Sequence, residues 1–162
     1  YMRENLFSHV NIRPEKTFLP DGREADSQKA CEAYNQILRQ TGQQDLQLLG
    51  IGHDGHIGFN EPADHFPKET HCVDLAEPTI EANARFFESR EQVPTQAYTM
   101  GIQNIMAAKQ ILMVANGKGK AKILKEAFQG PITPQIPASI LQLHPNVILV
   151  ADEEALSEME SC

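Results

Sequence analysis

The fold turns on residues 46–62: Leu46-Gln47-Leu48-Leu49-Gly50-Ile51-Gly52-His53-Asp54-Gly55-His56-Ile57-Gly58-Phe59-Asn60-Glu61-Pro62. A short apolar run at Leu46–Leu49 passes directly into a glycine-rich loop. The run reads as a buried strand, which puts the loop at the strand's carboxyl edge. Glycines let the backbone turn sharply and come close to a ligand, so Gly52 is a candidate ligand-contacting position. Between the glycines stand His53, Asp54, His56, Asn60 and Glu61, a dense set of proton-handling and hydrogen-bonding groups.

Outward from this loop, apolar runs alternate with helical patterns. A helix is expected over Ser27–Thr41, with Asp26 as N-cap and Gly42 just past its end. Ala30, Ala33, Tyr34, Ile37 and Leu38 recur at its helical spacing. Residues 1–9 read as helix and residues 10–24 as loop, with turn signals at Pro14 and Pro20-Asp21-Gly22. Strands are expected at His71–Leu75, Ala97–Met100, Ile111–Val114 and Val147–Val150. Helices are expected at Thr79–Phe87, through Ile105, at Gly117–Phe128, Ser139–Leu143 and Glu153–Met159. Short apolar strands between helices point to an α/β protein, Rossmann-like, with a mostly parallel sheet and helices on both faces. No repeat or Ser/Gly linker divides the chain, so residues 1–162 read as one domain. The opening, Tyr1-Met2-Arg3-Glu4-Asn5-Leu6-Phe7, reads as the interior of a helix without an N-cap. The expectation is a fragment whose sheet is incomplete at its N-terminal side.

Composition excludes several classes. The 162 residues are 41% hydrophobic and 22% charged, as in an ordinary globular domain. The formal net charge of -8 is poorly suited to a nucleic-acid backbone or an anionic membrane surface. No apolar run approaches the ~20 residues that span a bilayer. Cys31, Cys72 and Cys162 are an odd, widely spaced set, which suggests a reducing, cytoplasmic setting.

The residues of the loop suggest acid–base chemistry. An imidazole exchanges protons near neutral pH, which makes His56 the candidate general acid/base. Asp54 and Glu61 are near enough in sequence to hold its second nitrogen and favour the imidazolium. Asn60 could bond a neutral polar group of a ligand. The bland alternative is a Gly/Asx turn with a solvent-facing histidine. A metal set from His53, His56, Glu61 and His65 lacks the i, i+4 spacing of a helical zinc site, and no metal is expected. A second region, Asn116-Gly117-Lys118-Gly119-Lys120, follows a strand and opens a helix. Free N–H groups there, with Lys118 or Lys120, suit a phosphate; a solvated lysine face is the alternative. Neither a phosphate-loop nor a dinucleotide fingerprint is present, so no cofactor is expected. Arg85, beside Phe86 and Phe87, is either a surface residue or an anion clamp.

The stretch Gly50–Pro62 resembles the signature of the glucosamine-6-phosphate deaminases, Gly-[Ile/Val]-Gly-x-Asp-Gly-His-Ile-[Ala/Gly]-Phe-Asn-Glu-Pro. The resemblance continues at Asn83–Phe87, Gly117–Lys120 and Ser139-Ile140-Leu141-Gln142-Leu143-His144-Pro145, and so runs through the whole chain. It implies a Rossmann-like enzyme of amino-sugar catabolism that turns glucosamine 6-phosphate and water into fructose 6-phosphate and ammonia. Ring opening would precede an aldose–ketose proton transfer from C2 to C1 and loss of ammonia. By this resemblance His56 transfers the ring-opening proton, Asp54 and Glu61 orient and charge it, and Arg85 and Lys120 hold substrate, with Lys120 on the phosphate. The family also has an N-terminal phosphate loop and an Asp base that no residue here matches. The stretch Ala63–His71 carries one Lys and two acids where allosteric members are basic, so a non-allosteric protein is expected. A 6-phosphogluconolactonase and a non-catalytic sugar-phosphate sensor are the alternatives. Apolar surface left by missing strands is expected to drive self-association.

Overall fold

The computed structural model describes residues 1–159; Cys162 lies outside them. Three strands, β1 (Gln47–Leu49), β4 (Ile111–Ala115) and β5 (Val147–Ala151), form a parallel sheet in the order β1-β4-β5. Leu48 pairs with Leu112, which in turn pairs with Ile148. The central strand β4 buries Ile111, Met113 and Ala115 in alternation. They meet Leu49 and Ile51, Ile102 and Ile105 of α4 (Ile102–Met106), and Ile123, Leu124 and Ala127 of α5 (Ala121–Gln129). Ile111, Met113, Leu124 and Leu141 are almost wholly buried. Each such side chain contributes about 1.5–3 kcal/mol by leaving water.

The opposite face of the sheet is different. Leu48 is 63% exposed, Val114 45%, Ile148 44% and Val150 51%. These residues occupy neighbouring positions across the three strands, so the described helices cover one face and leave an apolar row on the other.

The remaining strands, β2 (His71–Asp74) and β3 (Gln96–Thr99), do not join the parallel sheet. They pair with each other antiparallel, His71 opposite Thr99. Between them runs a long excursion holding α3 (Glu77–Ala84) and a 3₁₀ turn at Arg90–Gln92. α3 stops three residues before the expected end, because Phe86 and Phe87 make i→i+3 turn bonds to Asn83 and Ala84 instead of continuing the helix.

Near the start of the chain, α1 is Met2–Asn5 and a 3₁₀ turn follows at Phe7–His9. α2 spans Ser27–Thr41 as its caps predict. The Asp26 carboxylate accepts from the N–H groups of Gln28 and Lys29, and Gly42 ends the helix at φ 84°. The helix expected from Gly117 begins later: Lys118–Lys120 form a 3₁₀ turn and α5 starts at Ala121. The segment Pro137–Leu143 is likewise 3₁₀. The helix expected at Glu153–Met159 is a run of turns. One i→i+4 bond forms there, Leu156 N–H to the Asp152 carbonyl, and the rest are shorter-range.

Candidate active site

The loop after β1 folds back on itself. The Gly52 N–H donates to the His56 carbonyl (2.9 Å), and the Gly55 N–H donates to the Gly52 carbonyl (3.3 Å). A Cβ on Gly52 would lie 2.3 Å from the Cε1 and Nδ1 atoms of His56. Glycine is therefore required at position 52 to seat the imidazole, whatever else the residue touches.

Asp54, His56 and Glu61 come together as the sequence reading expects. His56 Nδ1 is 2.8 Å from Asp54 Oδ1 and 3.6 Å from Glu61 Oε2. The His56 backbone N–H also donates to Asp54 Oδ1 (3.1 Å). The 2.8 Å contact is close in distance but lies off the hydrogen-bonding direction, so Nδ1 is sealed from solvent with no aligned partner.

The two carboxyls are driven apart in acidity. Burial raises Glu61 and the hydrogen bond it shares with Asp54 raises it further; the charge of His56 opposes both. Burial also works against ionisation of Asp54. There the Glu61 hydrogen bond, the His56 N–H and the His56 charge outweigh it, and Asp54 sits below its ordinary range. Asp54 is the standing anion of the pair and Glu61 the readier proton carrier.

Asn60 is 1% exposed. Its Nδ2 donates to the carbonyls of Ile57 (2.8 Å) and Met100 (2.9 Å). Here Asn60 braces the loop from beneath and does not face an open surface, which departs from its expected role towards a ligand. The loop is braced again where the Phe59 N–H donates to Thr99 Oγ1 (3.0 Å) at the end of β3.

Lys120 reaches the site from the next strand–helix junction. Its Nζ donates to the Ile51 carbonyl (2.7 Å), beside Gly52. Burial lowers its pKa, against the pull of Asp54. The Gly117 N–H, expected to be free for a phosphate, is taken by both carboxylate oxygens of Asp152 (3.0 and 2.9 Å). Gly117 has φ 82°, so the turn that delivers Lys120 rests on a glycine conformation pinned by Asp152. Arg85 is not brought to the triad by any described contact. It lies exposed at the end of α3 with its guanidinium 4.8 Å from the centroid of the Phe86 ring.

Three contributors were not foreseen: Thr99, Asp152 and Thr79, whose hydroxyl lies 3.4 Å from Glu61 Oε1. Ordinary polar residues, they lie 40, 35 and 18 positions from their partners, with no spacing signal to mark them. The ligand atoms of Asp54, His56 and Glu61 lie within 4.8 Å of one another, and among the described residues these three could hold a cation. His53 and His65 are not part of that cluster, so the metal set weighed from sequence is not assembled. Among the described residues no helix is long and apolar enough to cross a membrane.

Fold and site together define a class: an α/β protein with an imidazole between two carboxyls at the carboxyl edge of a parallel sheet, and a lysine beside them. A family model for glucosamine-6-phosphate isomerases/6-phosphogluconolactonase matches residues 1–149, and the chain belongs to that family. Glucosamine-6-phosphate deaminase of Lachnoclostridium phytofermentans is 55% identical over 93% of this chain and 64% of its own length. The deaminase of Streptococcus gordonii is 53% identical over 99% of this chain and 67% of its own length. The solved structure of a monomeric glucosamine-6-phosphate deaminase superposes with a TM-score of 0.91 at 44% identity, covering 98% of this chain and 66% of that one. The chain thus spans about two thirds of the length of the relatives it matches.

Proposed function

We propose that these residues carry the ring-opening chemistry of a glucosamine-6-phosphate deaminase, which converts glucosamine 6-phosphate and water to fructose 6-phosphate and ammonia. The observation that carries this reading is His56 held between a low-pKa Asp54 and a high-pKa Glu61, 2.8 and 3.6 Å away. Such a group moves a proton from the C1 hydroxyl to the ring oxygen, with Asp54 stabilising the imidazolium and Glu61 exchanging protons with it. Lys120 holds the phosphate as a point charge, and Arg85 swings off Phe86 to join it. Gly52 lets the substrate approach the backbone, and Asn60 fixes the loop beneath it. The family's base for the C2-to-C1 proton transfer, and its phosphate loop, match nothing in these 162 residues. Turnover therefore needs groups that these residues do not supply.

The 162 residues act as one α/β unit on a small sugar phosphate, without metal or cofactor, and not on nucleic acid. Cys31 and Cys72 are free, which supports a reducing compartment such as the cytoplasm. The bare apolar face of the sheet supports self-association, which light scattering across a dilution series reads directly.

The test is ammonia release from glucosamine 6-phosphate, with the intact mass of the assayed protein recorded. No ammonia at a mass near 18.1 kDa, with rapid release from a heavier form, fits this reading. Rapid release at 18.1 kDa would refute the need for further groups. Tight binding without ammonia from the heavier form would make the protein a sensor, and hydrolysis of 6-phosphogluconolactone would make it a lactonase.

A further inference from the structure

The excursion between β2 and β3, residues 75–95, reaches the site loop through Thr79. Among the described residues a single hydrogen bond joins the two: Thr79 Oγ1, in the first turn of α3, donates to Glu61 Oε1 (3.4 Å). The other Glu61 oxygen, Oε2, is the one 3.6 Å from His56 Nδ1. The Glu61 carboxyl thus has one oxygen for the hydroxyl and one for the imidazole.

Thr79 is itself well fixed. Its N–H donates to the Ala76 carbonyl (2.9 Å), and its carbonyl accepts from Asn83 Nδ2 (2.8 Å). Ile80, the next residue, is 8% exposed and anchors this turn. Phe86, midway along the excursion, is 69% exposed by comparison.

We infer that Thr79 is a positioning residue: its hydroxyl turns the Glu61 carboxyl so that Oε2 faces His56, and it ties that orientation to the 75–95 excursion. The inference rests on the deaminase reading for its functional meaning, but the link itself does not depend on turnover. The charged groups facing Glu61 are Asp54 and His56 on its own loop, with Lys120 beyond Asp54 from the 118–120 turn. On α3 two acids flank Thr79 at equal distance in sequence, Glu77 and Glu81, and Glu77 is paired with Arg90. Loss of the hydroxyl removes a bond that favours the Glu61 carboxylate, so Glu61 should become harder to ionise.

The experiment is an NMR titration of the Glu61 carboxyl in the 162-residue chain, for the wild type, Thr79→Val and Thr79→Ser. Thr79→Val keeps the shape and removes the hydroxyl. Its Glu61 midpoint is expected to rise by about half a pH unit, a size suited to a long hydrogen bond onto a charged group. Thr79→Ser should restore it. A wild-type midpoint in Thr79→Val, or a shift in Thr79→Ser equal to that in Thr79→Val, overturns the inference. Should Thr79→Val fold poorly, Thr79→Ala against Thr79→Ser gives the same contrast. If ammonia release fails in every form while the titrations behave as expected, the deaminase reading falls and the Thr79–Glu61 link stands.

Discussion

The loop at residues 50–62 and the two groups expected to hold substrate, Lys120 and Arg85, are built in opposite ways. The loop is set by its own turns and by braces from Thr99 and Met100. Its triad lies within eight consecutive residues, its turns are closed by its own backbone, and Asn60 pins it from below. The holding groups are provisional. Lys120 rests on the Ile51 carbonyl, and Arg85 lies on a neighbouring phenyl ring. On the proposed reading, the difference teaches that the proton-transfer groups are set in place first while the grip on substrate awaits a ligand.

The sharpest way to break that comparison is His56→Gln in an ammonia-releasing form of the protein. General acid–base catalysis contributes about 10²–10⁴ in rate, so a loss of that order is expected on ring-closed substrate. A much smaller loss is expected on open-chain substrate. Equal losses on both would remove the ring-opening role and leave the preorganised loop without its stated purpose.

A smaller effect is expected on the other side of the comparison. Arg85→Ala should raise KM about tenfold, the scale of one charge-assisted contact. It should leave kcat and Tm near the wild type, since the residue is exposed and its described contact is with its own neighbour. A large fall in Tm would show that Arg85 is structural and not a holding group.

The smallest effects sharpen the loop's own electrostatics. Asp54 is held below its usual pKa, so it stabilises the fold above its unfolded value and loses that contribution as pH falls through its folded pKa. Glu61 is held above its usual pKa, so its favourable contribution exists below the unfolded value and is gone once pH rises through the folded one. At pH 7, Asp54→Asn should therefore lower Tm and Glu61→Gln should raise it, each by about 2–4 °C. Both should reduce activity. Thermal melts at pH 4 and pH 7 check the signs, and the same direction for both variants would contradict the split.

Much of this was legible because it is local. The limits of α2 follow from Asp26 and Gly42, whose capping and left-handed conformations are decided within a few residues. The triad was legible for the same reason. What stayed hidden is set by chain geometry at a distance. Nothing in His71-Cys72-Val73-Asp74 announces an antiparallel partner 22 or more residues away, because no tight turn links them. The Glu153–Met159 stretch has a helical composition, yet the carboxylate that caps its start is shared. Asp152 accepts from Ala155 N–H (2.8 Å) while both its oxygens also take Gly117, and the chain leaves in turns. Asn60 reads as a ligand group in the sequence because an amide is equally good at either task; its burial and the two carbonyls its Nδ2 serves come from chain geometry at a distance.

Among the described residues, the uncovered row of Leu48, Val114, Ile148 and Val150 lies on a sheet whose outer strands, β1 and β5, each pair on one side alone. Apolar side chains beside unpaired backbone make a template for other chains. On warming, partly opened molecules would meet there and lock together before they could refold. Heat resistance in these residues would then be a rate, dependent on protein concentration and on the speed of heating, and a reversible melting midpoint would be recovered only at high dilution.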